Sequence, residues 1–161
     1  MPDDAQAIFD SYAADVEVTR YVGFPRHTRV DDTRAFLILS ENQWAAWPAG
    51  PYLIRLRGSE AVIGSSGLMF DTPYRSQTGY VLARHAWGQG YATEALEAMT
   101  AVAQQCGVRR LYAICHHGHR ASARVLEKGG FSLEALLRQY SEFPNLDPVG
   151  PHDCLCYVRI F

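Results

Sequence analysis

No apolar run in this 161-residue chain approaches the ~20 residues that a membrane-spanning helix needs. The opening Met1-Pro2-Asp3-Asp4 is acidic and lacks the apolar region of a secretory signal. No excess of positive charge announces nucleic acid, because the net charge is −2. The basic residues that do cluster, at Arg109-Arg110 and along Arg120, Arg124 and Lys128, suit a small anion better than a duplex. Four cysteines, at 106, 115, 154 and 156, lack the spacing of a small secreted scaffold. Cys154 and Cys156 alternate with Leu155 and Tyr157, so they share one face of a strand and read as buried small hydrophobes. Neither an internal repeat nor a low-complexity linker divides the chain, and 48% hydrophobic with 20% charged residues is a globular composition. These absences predict one cytoplasmic domain over residues 1–161, with no membrane and no nucleic-acid partner.

What is present is a glycine turn at Trp87-Gly88-Gln89-Gly90-Tyr91-Ala92-Thr93-Glu94-Ala95. A strand, Thr78 to Ala83, precedes it, and a helix is expected to open at about Tyr91. Such a turn gathers unpaired N–H groups and the positive end of a helix dipole, which is an anion site and commonly a phosphate site. Ala92, Ala95, Leu96, Met99, Val102, Ala103 and Cys106 fall at helical spacing, and Gly107 suits the C-terminal cap. Burying Leu96, Met99 and Val102 at about 1.5–3 kcal/mol each docks this helix on a sheet and fixes where its N-terminus points.

The rest of the chain reads as helices followed by a meander. A helical region is expected over about Asp4 to Val18, a loop with Pro25 over Arg20 to Val30, and a second helix from Asp31 or Asp32 towards Trp44. Strands follow at Tyr52 to Arg57, from Ala61 through Phe70, and at Thr78 to Ala83. After the central helix come a strand over Arg110 to Cys115, a short helix over Ala121 to Lys128 ending at Gly129-Gly130, and strands at Leu133 to Ser141 and Cys154 to Ile160. The last loop carries Pro144, Pro148 and Pro151. This order predicts an α/β (α+β) fold with a mixed sheet.

Two common phosphate folds fail on the flanks. A Walker loop needs Lys-Ser/Thr after its last glycine, where this chain has Tyr91-Ala92. The dinucleotide fingerprint needs a third glycine where Thr93 stands. Gly79-Tyr80-Val81-Leu82, the Trp87 to Ala95 block, and Ser122-Ala123-Arg124-Val125-Leu126-Glu127-Lys128-Gly129-Gly130-Phe131 occur in that order. Together they resemble the GNAT N-acetyltransferases, in particular the RimJ/RimL-like branch with its ribosomal-protein alanine N-acetyltransferases. The resemblance runs from about residue 5 to the end. It implies a mostly antiparallel central sheet flanked by helices, here lacking the first strand or starting downstream of it, since only about three residues precede the first helix. A sheet one strand short would expose an edge, which favours pairing with a second copy as a homodimer.

The resemblance also implies acetyl-CoA as cosubstrate. The amides of Trp87, Gly88, Gln89, Gly90, Tyr91 and Ala92, with Thr93 near by, would hold the CoA pyrophosphate, and Tyr80, Val81 and Leu82 would pair with the pantetheine arm. A helix N-terminus supplies only ~0.3–2 kcal/mol for a charge, whereas micromolar affinity needs about 8 kcal/mol, so strand-like pairing along the pantetheine must contribute the remainder. Ser122 is implied to lie near the CoA sulfur as a candidate general acid; the alternative is that it caps or packs its helix. Arg124 and Lys128 would meet the 3′-phosphate or stay solvated. Tyr80 and Tyr91 line the acetyl pocket or belong to the core, Tyr91 more readily to the core. Trp44, Trp47 and Trp87 are packing residues, Trp44 and Trp47 also standing where an acceptor pocket begins. Cys115-His116-His117-Gly118-His119 has neither zinc-finger spacing nor a His-Glu-x-x-His motif, so the expectation is no metal.

Four positions depart from the family. Gln77 stands where Glu is frequent, His119 where Asn is usual, Arg84 where Pro is usual and Gly129 where Leu is usual. Gln cannot act as a base, His119, which the resemblance places among the cosubstrate-binding residues, can still donate or accept a hydrogen bond but differs from Asn in shape and charge, Arg84 brings an extra cation near the cosubstrate, and Gly129 loosens the helix end. The base is therefore unassigned among His27, His119, Tyr140 and a water relay. Without a carboxylate at 77, direct attack in a ternary complex favours a weakly basic acceptor, a protein N-terminal α-amine or a small amine. Two alternatives from other classes are an acetyl-CoA-binding protein with lost or altered catalysis, and a nucleotide-binding module sharing only the glycine turn.

Overall fold

The computed structural model describes residues 4–147 and 150–161. The start, Met1 to Asp3, and Pro148 of the last loop lie outside the described residues. Helix α1 (Ala5–Ile8) continues as a π-helical turn over Phe9–Ala13 and is followed by α2 (Val16–Thr19) and α3 (Val30–Ala46). The single helical stretch expected over residues 4–18 is thus broken. Asp15 leaves the helical conformation (φ −79°, ψ 124°), and its carboxylate accepts from the amides of Glu17 at 2.8 Å and Val18 at 3.2 Å, which starts α2. Helix α3 begins one residue ahead of the aspartates, and Asp32 accepts from the amides of Thr28 and Arg29.

Asp15 has a second partner. Arg84 Nη2 lies 2.7 Å from both of its carboxylate oxygens, so the expected extra cation beside the cosubstrate is instead tied to the N-terminus of α2. Arg84 holds the Asp15 carboxyl below its ordinary range. The stability this adds is present above the ordinary carboxylate pKa and is lost as pH falls through the depressed folded value. Asp15→Ala is expected to cost about 1 kcal/mol through the lost cap, read as a shift in urea midpoint at pH 7. The difference from wild type should shrink on acidification, and an equal difference at pH 3 would contradict the assignment.

Strands β1 (Pro51–Arg55), β2 (Val62–Thr72), β3 (Arg75–Leu82), β4 (Arg110–His116), β5 (Ser132–Glu142) and β6 (Pro151–Ile160) form one sheet in the order β1-β2-β3-β4-β6-β5. All neighbours are antiparallel except β3 and β4. Among the described residues no strand precedes α1, and β1 is an edge. Helix α4 (Tyr91–Gln105) and helix α5 (Arg120–Lys128) complete the elements, and Gly107 at φ +79° ends the former, donating to the carbonyl of Gln104.

Alternation in the strands separates two faces. On one, Leu96, Met99 and Ala103 of α4 and Leu126 of α5 pack on Leu68, Phe70, Leu111, Ala113 and Tyr157. On the other, Ile8, Tyr12 and Ala13 pack on Val62, with Leu53 and Val81. Trp47 belongs to the first cluster, stacked on Phe70 at 5.2 Å. Tyr91, partly buried, packs against the cluster of Ile63, Leu82 and Ala86. All four cysteines are free, and Cys115, Cys154 and Cys156 are buried. At Gly129 a Cβ would lie 2.6 Å from Leu96 Cδ2, so the side chain of Leu96 already fills the space that a larger residue would take. Among the described residues no helix is long and apolar enough to cross a membrane.

Candidate functional site

The parallel seam between β3 and β4 is short. Arg75 pairs with Arg110, Ser76 with Leu111 and Gln77 with Tyr112, and beyond these three pairs the strands part. The remainder of β3 is bonded only to β2, so a gap opens through the sheet along Thr78 to Leu82. The amide of Ala83 donates to the carbonyl of Ile63 at 2.8 Å. By the alternation of an antiparallel ladder, Val81 and Gly79 then turn their backbone groups to β2, whereas Tyr80 and Leu82 turn theirs to the gap. The Leu82 carbonyl is already met by the indole N–H of Trp87 at 2.8 Å. Trp87 is therefore half exposed and serves the strand end through hydrogen bonding, not by packing in the core.

At the mouth of this gap lies the glycine turn. Gly88 at φ +73° and Gly90 at φ +87° are in the left-handed region, which lets the chain double back into α4 without a Cβ clash. The amides of Thr93 and Glu94 donate to the Gly90 carbonyl, and that of Trp87 to Arg84. The amides of Gly88, Gln89, Gly90, Tyr91 and Ala92 meet no backbone carbonyl among the described residues. Five donors at the positive end of a 15-residue helix fit a phosphate group. Trp87 and Thr93 do not add amides to that set, since theirs are used.

Across the gap on the α4–α5 face, Tyr80 reaches α5. Its hydroxyl lies 2.9 Å from Ser122 Oγ and donates to the Ser122 carbonyl at 3.1 Å. His119, not Ser122, holds the cap position of α5. Burial pushes the Tyr80 phenol up to about 12, against the lowering effect of the Ser122 hydrogen bond, so it stays protonated at neutral pH. Burial likewise pushes the neighbouring Cys115 thiol up to about 11. This Tyr80–Ser122 pairing spans 42 residues and was not visible in the sequence. The usable signal was parity, since Tyr80 shares its strand face with Leu82 and that face looks towards the helices.

The opposite face of the gap holds a cavity of ≈ 190 Å³, lined by Tyr21, Gly23, Gln77, Ile114, Tyr140, Ser141 and Phe143. None of these side chains carries a charge. Gln77 thus faces the cavity with a neutral amide. The histidines at the end of β4 stand behind Tyr21: its ring stacks on His119 at 4.7 Å and approaches His116 at 5.0 Å. His116 accepts the Gly118 amide on Nδ1, and burial together with the neighbouring histidines pushes it down to about 4. Burial also lowers His119. Both are neutral at pH 7. Among the described residues no three His, Cys, Asp or Glu side chains converge as metal ligands. His27 lies elsewhere, packed near Phe24 and Phe36 with Nδ1 on Thr33 Oγ1 at 2.8 Å. Trp44 borders a different hollow, between α3 and β1. Arg124 and Lys128 are exposed on α5.

Residues 1–132 match a family described as the acetyltransferase (GNAT) domain. A curated relative, the uncharacterized N-acetyltransferase YoaA of Bacillus subtilis (strain 168), is 28% identical over 145 residues, which cover 85% of this chain and 78% of the relative. The uncharacterized N-acetyltransferase p20 of Bacillus licheniformis is 28% identical over 134 residues, covering 81% and 75%. The fold is shared with RimL, a ribosomal L7/L12 α-N-protein acetyltransferase solved with coenzyme A, at TM-score 0.85 and 22% identity, over 100% of this chain and 90% of that one. It is shared as well with the microcin C7 self-immunity acetyltransferase MccE, solved with acetyl-CoA and AMP, at TM-score 0.87 and 16% identity, over 100% and 89%.

Proposed function

The chain belongs to the GNAT acetyltransferase family and is an acetyl-CoA-dependent N-acetyltransferase, and we propose that its acceptor is a protein N-terminal α-amine or a small, weakly basic amine. The observation that carries this reading is the split in the sheet, which joins an amide cradle on one side to an uncharged cavity on the other.

Acetyl-CoA supplies an activated acetyl thioester. The free amides of Gly88 to Ala92 are the donors suited to its pyrophosphate, and the gap-facing backbone of Tyr80 and the Leu82 amide are suited to strand-like pairing with its pantetheine. Ser122 Oγ, held by Tyr80, is the hydroxyl positioned to give a proton to a leaving thiolate, and Tyr80 can return one to it. At the cavity Gln77 and the Tyr140 hydroxyl can hydrogen-bond an amine. Burial lowers both His116 and His119, which weakens each of them as a base. An amine that arrives largely neutral demands least of such a site. The four free cysteines support a reducing, cytoplasmic setting.

Matched peptides test this directly. At pH 7 an α-amine of pKa ~7.7–8.0 is neutral on the order of 10²-fold more often than a lysine amine of pKa ~10.4. With acetyl-CoA saturating, kcat/KM is expected to favour the free α-amine over an N-terminally blocked lysine peptide by about that factor, and to rise as pH approaches 8. A lysine preference would overturn the acceptor reading. Acetyl-CoA binding without turnover of either peptide would identify a cosubstrate-binding protein instead.

A further inference from the structure

Strand β5 does not pair evenly with β6. Leu137 sits opposite Cys154 and Ser141 opposite His152, so four steps along β5 are matched by two along β6 and two residues are extruded. At the crest is Gln139, with φ 45°, the one non-glycine in the left-handed region among the described residues. Such a conformation is strained for a residue with a Cβ and persists only where its surroundings enforce it.

Asp153 on β6 supplies that enforcement. Its Oδ1 accepts the Gln139 amide at 2.9 Å, and its Oδ2 lies 3.6 Å from Arg138 Nη1. Its own carbonyl takes the His117 amide at 3.0 Å, which ties the same residue to the loop after β4. The carboxylate is mostly covered, with 27% of the side chain exposed. Directly after the crest, Tyr140 and Ser141 form the cavity wall facing Gln77. Without the two extra residues, β5 would pass this point in plain register with β6 and its side chains would fall at other positions along the strand.

We propose that Asp153 is a positioning residue for the acceptor: it clamps the bulge at Arg138-Gln139 and so presets the Tyr140–Ser141 wall of the cavity. This rests on the reading of the cavity as the acceptor site. Bulges beside a site commonly re-aim a side chain in this way, and a preset wall spares the acceptor the ordering it would otherwise have to impose.

The test uses the full chain and the α-amine peptide. Asp153→Ala is expected to raise the peptide KM about tenfold, with kcat and the acetyl-CoA Kd within about threefold of wild type, magnitudes in the range typical of a lost positioning contact. Asp153→Asn, which keeps an oxygen for the Gln139 amide, should fall between. Gln139→Gly accepts the same φ without strain, so in that background the effect of Asp153→Ala should shrink, a non-additivity that general destabilisation would not produce. If Asp153→Ala does not fold, the Asn and Gly variants and their double variant decide the matter alone. An unchanged peptide KM in folded variants, or a loss shared equally by acetyl-CoA binding, overturns the proposal while leaving the acetyltransferase reading intact. Absence of turnover in the wild type overturns the acceptor-site reading and this inference with it.

Discussion

Ser122→Ala is expected to lower kcat by about 10²-fold or more, the usual loss when a positioned proton donor is removed, with the acetyl-CoA Kd little changed. Ser122 Oγ lies 2.9 Å from the Tyr80 hydroxyl, also meets the Cys115 thiol, and does not occupy the cap position of α5. Its removal therefore takes away a hydroxyl at the gap and leaves the helix start alone. Tyr80→Phe should show a smaller fall in kcat, because Ser122 keeps its hydroxyl and loses only the group that orients it and resupplies its proton. The phenol of Tyr80, pushed up to about 12 by burial, remains a donor through neutral and mildly basic pH. The wild-type rate should accordingly show no basic limb from this pair below about pH 10, the ordinary tyrosine value. The same shift has a stability consequence: the advantage of a neutral buried phenol is full below that value and is lost as pH rises towards 12. A Ser122→Ala enzyme with wild-type kcat and a lowered melting temperature would reduce Ser122 to a packing residue.

Gly90→Val is expected to weaken acetyl-CoA binding by about 10- to 100-fold, which is about 1.4–2.8 kcal/mol. Space is not the obstacle, since a Cβ at Gly90 would meet no atom within 4 Å. The obstacle is φ +87°, an outlier for any β-branched residue. Relaxing it swings the peptide planes on either side, and these carry the amides of Gly90 and Tyr91, at the centre of the five unpaired donors. Isothermal titration gives the Kd, and the thermal shift produced by CoA should nearly vanish while the free protein melts only modestly lower. An unchanged Kd would place the pyrophosphate elsewhere. Gly90→Ala should show the same effect in weaker form, because alanine tolerates the left-handed region better than valine does.

Local signals in the sequence read the fold well where one element decides its own shape. The period of Leu96, Met99 and Ala103 marked α4, and Gly107 marked its end. The alternation of Val62 to Phe70 and Thr78 to Leu82 marked the meander. What the sequence concealed are pairings over long separations, which leave no local trace. Asp15 reads as one more polar residue in a helix until Arg84 arrives from 69 residues away. At Gly129 nothing local foretells Leu96, whose side chain fills the space that a larger residue would take. The glycine turn was legible because its chemistry is main-chain and contiguous. The Tyr80–Ser122 pair and the Tyr140 wall were not, because each is assembled from strands and helices that meet only in the folded sheet. Departures such as Gln77 could be recognised in the sequence, whereas the cavity beside it, with no charged side chain among its lining residues, is assembled only in the fold.

A sheet sewn together by three residue pairs at one end behaves as two plates on a common hinge line, Arg75–Gln77 against Arg110–Tyr112. The brace is α4, whose Leu96 and Met99 share one packed cluster with Leu68 and Phe70 on the first plate and Leu111 and Ala113 on the second. The same helix presents the amide cradle at its N-terminus. The width of the aperture and the placement of the amide cradle therefore share one strut, so damage to the underside of α4 would be felt first as a loss of fit between the two sides of the gap, before the plates themselves unfold.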